Sequence, residues 1–318
     1  MIVVRDPAEV RRLAGPFAAA VGVFDGIHLG HRAVFAELRA AADAAGASTI
    51  VVTFDPHPAV VVRPDAAPLL LTTADERLRL LEAEGLDAAC VVRFDRETAG
   101  LTAEGFLDRW LPAEGALRVL VIGHDFRMGK GRAAGYEELL TIGGRRGFQV
   151  LRVGPRREGA ETISSSRIRE VVRTGDVAAA ARMLGRPYGV EGRVVPGRGI
   201  GRTLQFPTAN VDVADERKLL PPHGVYAAWA DLGDEQGARW AVVNRGVRPT
   251  FGATDPVLEV HVPGFEGDLR GRLVRLELVE RIRPEITFPG PEELAARIRA
   301  DLVEARRILG VEPDPATP

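Results

Sequence analysis

His28 and His31 stand three residues apart in the string GVFDGIHLGH, beside one aspartate and three glycines. An apolar run, Phe17 to Val21, precedes the string and reads as a buried strand. Val34, Leu38, Ala41 and Ala45 follow at helical spacing, in a helix that ends at Gly46. The histidines therefore lie at a strand-to-helix turn. Glycines there let a phosphate approach the backbone, and a helix N-terminus offers free N–H groups and a favourable dipole. Imidazoles in that place can hydrogen-bond a triphosphate and stabilise charge as pyrophosphate leaves. The chemistry that suits this arrangement is attack by a phosphate on the α-phosphorus of ATP.

Further strings carry chemistry of the same kind. ISSSRIR, Ile163 to Arg169, places a run of hydroxyls before a helix, where they cap it or bind phosphate, and Arg167 and Arg169 can clamp a triphosphate. By itself it is equally an N-cap with solvated arginines. FDPHP, Phe54 to Pro58, is a stiff loop with an aromatic, flat-sided enough for a planar ring, and alone also a plain proline turn. GRGIGRTLQFPTAN, Gly197 to Asn210, combines Gly197, Gly199 and Gly201 with Arg198 and Arg202 in a phosphate cradle, and offers Thr208 and Asn210 as oxygen ligands to Mg²⁺. No Gly-Lys-Ser/Thr is present, so it is not an ordinary P-loop. In LEVHV, alternation puts Glu259 and His261 on one face of a strand.

The elements that must position these residues change character along the chain. Strand-like runs at Phe17–Phe24, Ser48–Phe54, Ala88–Phe94, Leu117–Ile122 and Phe148–Val153 alternate with helical patterns at His31–Ala45, Thr73–Glu84, Thr102–Leu111 and Tyr136–Arg145. Thr73 and Glu76 read as a capping box. Alternation of this kind implies a Rossmann-like parallel sheet whose ligands bind beyond the C-terminal ends of the strands. Two short helices, Ser166–Arg173 and Val177–Leu184, follow. From Tyr188 the texture is short strands with glycine and proline turns, as in an antiparallel barrel. A final helix, Pro291 to Leu309, carries an apolar stripe of Leu294, Ile298, Leu302 and Leu309 to pack on that barrel. The fold class is thus α/β: a parallel-sheet domain over residues 1–185, an antiparallel β-barrel domain with a C-terminal helix over 186–311, and a disordered tail over 312–318.

Composition bounds the partners. The chain has 318 residues, 46% hydrophobic and 27% charged, with a net charge of −2. That is ordinary for a soluble two-domain protein and gives no electrostatic footprint for nucleic acid. One cysteine, Cys90 in an apolar run, excludes a disulfide or thiolate metal site within the chain. The N-terminus lacks a signal-peptide core, and no apolar run approaches the ~20 residues that span a bilayer. The expectation is a cytoplasmic protein with no membrane partner. Its oligomeric state is not readable.

The decapeptide resembles the HxGH signature of nucleotidylyltransferases. Its longer form resembles that of the bacterial bifunctional riboflavin kinase/FMN adenylyltransferases. ISSSRIR is similar to that family's ISSTRIR, which stands in the place of the KMSKS loop of related enzymes; Gly123, Asp125 and Phe126 resemble its G-x-[DN]-F motif. The PTAN string, GVRPTFG at Gly246 to Gly252, and LEVHV resemble the kinase half. The resemblance spans about residues 16 to 309. It implies an ATP site of Gly22, Phe24, Asp25, Gly26, His28, His31, Ser164, Ser165 and Arg167, with His28 and His31 catalytic and Asp25 positioning either the loop or the metal-bound nucleotide. It implies a flavin or FMN site of Phe54, Pro56, His57, Pro58, Asp125 and Phe126. In the barrel it implies ATP at Gly197, Gly199, Gly201, Thr208 and Asn210, Mg²⁺ at Thr208 and Asn210, and Glu259 as catalytic base; His261 beside it reads as a structural residue or as one that supports the site from behind. The implied substrates are ATP, riboflavin and FMN. The rival reading keeps one competent half.

Overall fold

The computed structural model of the chain describes residues 1–13, 15–111, 115–197, 206–250 and 253–312. Arg198, Gly199, Gly201, Arg202, the end of GVRPTFG and all of the expected tail but Glu312 lie outside the described residues. The chain divides into two compact units, Met1–Ser165 and Ser166–Pro318.

In the first unit β1 (Ile2–Val4), β2 (Phe17–Val21), β3 (Ser48–Asp55), β4 (Ala88–Arg93), β5 (Leu117–Gly123) and β6 (Gln149–Val153) form one parallel sheet, ordered β1-β4-β3-β2-β5-β6. Both faces are covered, as parallel sheets require. Ala18, Ala20, Val51, Ala89 and Val121 pack under Val34, Phe35 and Leu38 of α2 (Leu29–Ala45). Ala19, Val21, Ile50, Val52, Cys90 and Leu120 face Phe106 and Trp110 of α6 (Ala103–Trp110), and Leu139 and Ile142 of α7 (Tyr136–Arg146). Strand order reverses between β2 and β5, the crevice where such sheets bind ligands. Among the described residues α1 (Pro7–Val10), α3 (Pro58–Val62), α4 (Ala74–Ala83) and α5 (Arg96–Gly100) also belong to this unit, and β7 (Arg157–Glu158) pairs with β8 (Glu161–Thr162) in a short antiparallel ribbon. Thr73 and Glu76 form the expected capping box.

The expected strand 17–24 stops at Val21. Beyond it Phe24, Gly26 and Ile27 take φ values of 51°, 86° and 38°, so the apolar residues Val23 and Phe24 belong to a left-handed loop, not to a strand. The three-residue β1 was too short to register as a pattern.

In the second unit α8 (Ser165–Thr174) and α9 (Val177–Leu184) precede a closed antiparallel barrel. Its strands are β9 (Tyr188–Val195), β10 (Ala209–Asp212), β11 (Gly224–Asp231), β12 (Ala238–Thr250), β13 (Ala253–His261) and β14 (Leu273–Pro284), ordered β10-β13-β12-β11-β14-β9. The last helix, α10 (Pro291–Leu309), lays Leu302, Ala305, Ile308 and Leu309 on Val225, Ala227, Trp240 and Val242. Arg283 of β14 forks onto Asp301 of α10 at 2.9 and 2.7 Å, with Asp301 buried. The compact division falls in the first turn of α8, because α8 and α9 group with the barrel. Among the described residues, no helix is long and apolar enough to cross a membrane.

Candidate functional sites

The first site is built on the turn after β2. His28 is the N-cap of α2: its Nδ1 accepts from the N–H groups of Gly30 at 3.1 Å and His31 at 3.3 Å. An N–H can only donate, so Nδ1 is bare and the neutral ring carries its proton on Nε2. The His28 and His31 rings stack at 3.6 Å, and Phe24 meets His31 edge-on at 5.2 Å. Two glycines make room for these rings. A Cβ on Gly30 would stand 3.0 Å from the His28 ring, and one on Gly22 would stand 2.9 Å from Phe24.

Asp25 is buried and both its oxygens are engaged. Oδ2 accepts from Leu71 N at 3.0 Å; Oδ1 accepts from Thr72 N at 2.9 Å and Thr72 Oγ1 at 3.0 Å. Thr72 Oγ1 in turn accepts from Gly26 N. Of the two roles expected for Asp25, this geometry supports holding the loop. Ser165 Oγ donates to the Asp25 carbonyl at 2.9 Å, and Thr53 Oγ1 donates to the Val23 carbonyl at 2.9 Å. The loop is thus pinned from three directions. Ser164 and Ser165 are half-buried. Arg167 lies past the division, on α8, paired with Glu170 at 2.7 Å.

The expected flavin residues divide by burial. Phe54 is buried in the core with Phe94 edge-on at 5.5 Å and Phe106 at 5.8 Å. Pro56 is exposed and Pro58 half-buried, and His57 caps α3 by accepting from Ala59 N at 3.1 Å. At the end of β5, Asp125 is exposed beside His124, while Phe126 packs on the core. Met128 is buried, and its bridge to Ala134 closes the glycine-rich loop GKGRAAG, Gly129 to Gly135.

The second site lies on the barrel wall. Asn210 of β10 stands opposite Glu259 of β13, and Glu259 stands opposite Asn244 of β12. Residues directly opposite on antiparallel strands share a face, so the three form one polar row. Asn210 is buried, and a Cβ on Gly197 would stand 1.9 Å from its Nδ2; position 197 admits only glycine without displacing the amide. A cavity of about 280 Å³ opens beside it, lined by Gly197, Thr208, Asn210, Val260, Phe265 and Arg270 among others. His261 Nδ1 lies 2.8 Å from the Pro207 carbonyl, and burial pushes its pKa below the ordinary histidine value. Among the described residues no cluster of His, Cys, Asp and Glu could hold a metal. The candidate metal donors are the neutral oxygens of Thr208 and Asn210.

Comparison with known proteins bears on both sites. The family profile described as FAD synthetase matches residues 11–167, and that described as riboflavin kinase matches residues 184–309. A protein of Escherichia coli strain K12, named bifunctional riboflavin kinase/FMN adenylyltransferase, is 37% identical over 291 residues, 92% of each chain. The chain belongs to the bifunctional riboflavin kinase/FMN adenylyltransferase family. Members of this family from Haemophilus influenzae and Bacillus subtilis, with the same name, are 33% and 35% identical. They match over 96% and 91% of this chain and over 98% and 91% of their own. The crystal structure of a Streptococcus pneumoniae protein, described as a macrolide-efflux protein, superposes with a TM-score of 0.84 at 28% identity, over 96% of this chain and 98% of that one.

Sequence reasoning missed Leu71 and Thr72, which hold Asp25 from 46 and 47 residues away. It also missed Asn244, whose place beside Glu259 follows only from strand register. GVRPTFG begins two residues after Asn244 and was the nearest signal.

Proposed function

We propose that this chain phosphorylates riboflavin to FMN and adenylylates FMN to FAD, each step using ATP. The observation that carries the reading is the 37% identity to a bifunctional relative across 92% of both chains, and each half presents a polar constellation of its own. In the barrel, Glu259 takes the proton of the ribityl 5′-hydroxyl as that oxygen bonds to the γ-phosphorus. The bond from the γ-phosphorus to the bridging oxygen breaks and ADP leaves. Thr208 and Asn210 suit Mg²⁺: both present hard oxygens at the cavity, and their neutrality leaves the nucleotide phosphates to balance the charge. When bound, the ion neutralises phosphate charge. Gly197 at the cavity contacts the ATP phosphates, and the resemblance implies the same role for Gly199 and Gly201.

In the sheet domain a phosphate oxygen of FMN attacks the α-phosphorus of ATP and pyrophosphate leaves. His28, with its proton on Nε2, donates to the phosphates as a neutral ring, and His31 stacks beside it. Gly22, Phe24 and Gly26 shape the ATP loop, Asp25 holds it, and Ser164, Ser165 and Arg167 add phosphate contacts. Pro56, His57, Pro58, Asp125 and Phe126 take the flavin, with Phe54 supporting their loop from the core. Under this reading residues 1–185 and 186–311 are the two catalytic domains. The protein works in the cytoplasm on small molecules, without nucleic-acid or membrane partners.

The test is incubation with riboflavin, ATP and Mg²⁺, with FMN and FAD separated by chromatography. Glu259→Gln lowers FMN formation by about 10²–10⁴-fold yet converts supplied FMN to FAD. His31→Ala lowers FAD formation by roughly a hundredfold and spares FMN formation. A wild-type protein that makes neither product sinks the reading.

A further inference from the structure

The ladder between β10 and β13 ends at Ala209 and Val260. Beyond it the chain runs through Thr208 into Pro207, which has no N–H to offer a neighbouring strand. Only the proline's carbonyl is left to bond across, and the His261 side chain reaches it: Nδ1 lies 2.8 Å from the Pro207 carbonyl. A carbonyl can only accept, so the proton is on Nδ1. Desolvation lowers the pKa of this ring, and the bond to the Pro207 carbonyl works against it. The Pro207 carbonyl and the Thr208 N–H belong to one planar peptide unit, so fixing one orients the other. The ring is itself held. Phe206 meets it edge-on at 5.9 Å, and Arg299 of α10 stands 6.0 Å over Phe206.

His261 is two residues from Glu259, on the same face of β13. We propose that His261 is a positioning residue for phosphoryl transfer, tying the strand that carries Glu259 to the turn that presents Thr208 and Asn210 to the nucleotide. It touches no reacting atom. Its loss lets that turn drift away from the base, which weakens use of Mg·ATP more than use of riboflavin. The inference rests on the kinase reading of the barrel.

The experiment compares full-length His261→Phe, His261→Asn and His261→Gln. Phe fills the space without a donor. The Asn amide places an N–H near the Nδ1 position, and the Gln amide places it one bond too far. Steady-state riboflavin phosphorylation gives KM for Mg·ATP, KM for riboflavin and kcat, with FMN-to-FAD conversion in the same preparation as reference. The expected result is a KM for Mg·ATP raised about tenfold in Phe and Gln, the loss of one hydrogen bond. Asn stays within about threefold of wild type, and KM for riboflavin moves less than about twofold throughout. If Phe does not fold, the split between Asn and Gln decides. Equal behaviour of Asn and Gln, or a Phe variant with unaltered KM for Mg·ATP, overturns the proposal. A wild-type protein that does not phosphorylate riboflavin overturns the kinase reading instead.

Discussion

The Arg77 guanidinium is 2% exposed and donates to the Phe54 carbonyl at 2.7 Å, at the end of the strand that leads into FDPHP. Burial lowers its pKa, and the Asp25 and Asp55 carboxylates work against that. One buried cation therefore balances charge beneath the loop that carries the histidines and satisfies the backbone beside the second loop. Arg77→Leu removes the buried cation whose charge favours Asp25 and takes this donor from the Phe54 carbonyl. We expect it to destabilise the first unit by about 1–3 kcal/mol, the scale for a buried polar group that loses its partner. Urea denaturation followed by circular dichroism measures this, and a cost below about 1 kcal/mol would show that the Leu71 and Thr72 bonds hold Asp25 unaided. Nothing in the sequence marks Arg77 for the role, since it sits in an ordinary helical pattern and its partners lie far off along the chain. His28 and His31 were legible because their chemistry depends on local spacing.

At the scale of elements, legibility followed length and locality. Long amphipathic helices such as α2 and the last helix were read nearly to the residue, because an apolar stripe repeats several times within them. Strand β10 has four residues and begins just after a proline, so no period could form before it ended. The polar row of Asn210, Glu259 and Asn244 needs the register of three strands, which pattern alone does not supply. Cys90, read as a small buried hydrophobe, stands on β4 with no exposure, and burial raises its thiol from 9.0 to about 12. A raised acid pKa means the folded state holds the proton more tightly. This contribution to stability is therefore present below about pH 9 and lost as pH rises toward 12. At pH 8 an aromatic disulfide reagent should leave the native thiol untouched and titrate one thiol per chain in guanidinium. Rapid native labelling would show that β4 opens locally.

At the scale of the whole molecule, the compact division and the two family matches bracket α9 differently. The buried residues Val177, Ala180, Met183 and Leu184 belong to a helix that packs on β9 and β14. A fragment beginning at Ser166 should therefore melt higher than one beginning at Arg186, which exposes that apolar face and loses several kcal/mol at about 25 cal/mol per Å². Differential scanning calorimetry of the two fragments decides, and equal melting would put the functional boundary after α9.

The order of pairing in the two units also bears on synthesis. Every strand of the parallel sheet has left the ribosome once Val153 has, with about half the chain still to be made. The barrel cannot close until β14 arrives, because β14 alone joins β11 to β9. A premature stop between Asp212 and Leu273 therefore leaves a complete sheet attached to an open set of strands with unpaired edges. Under the proposed assignment, such a truncated product would keep the scaffold of FAD formation while losing that of FMN formation, and its open edges would invite aggregation or proteolysis.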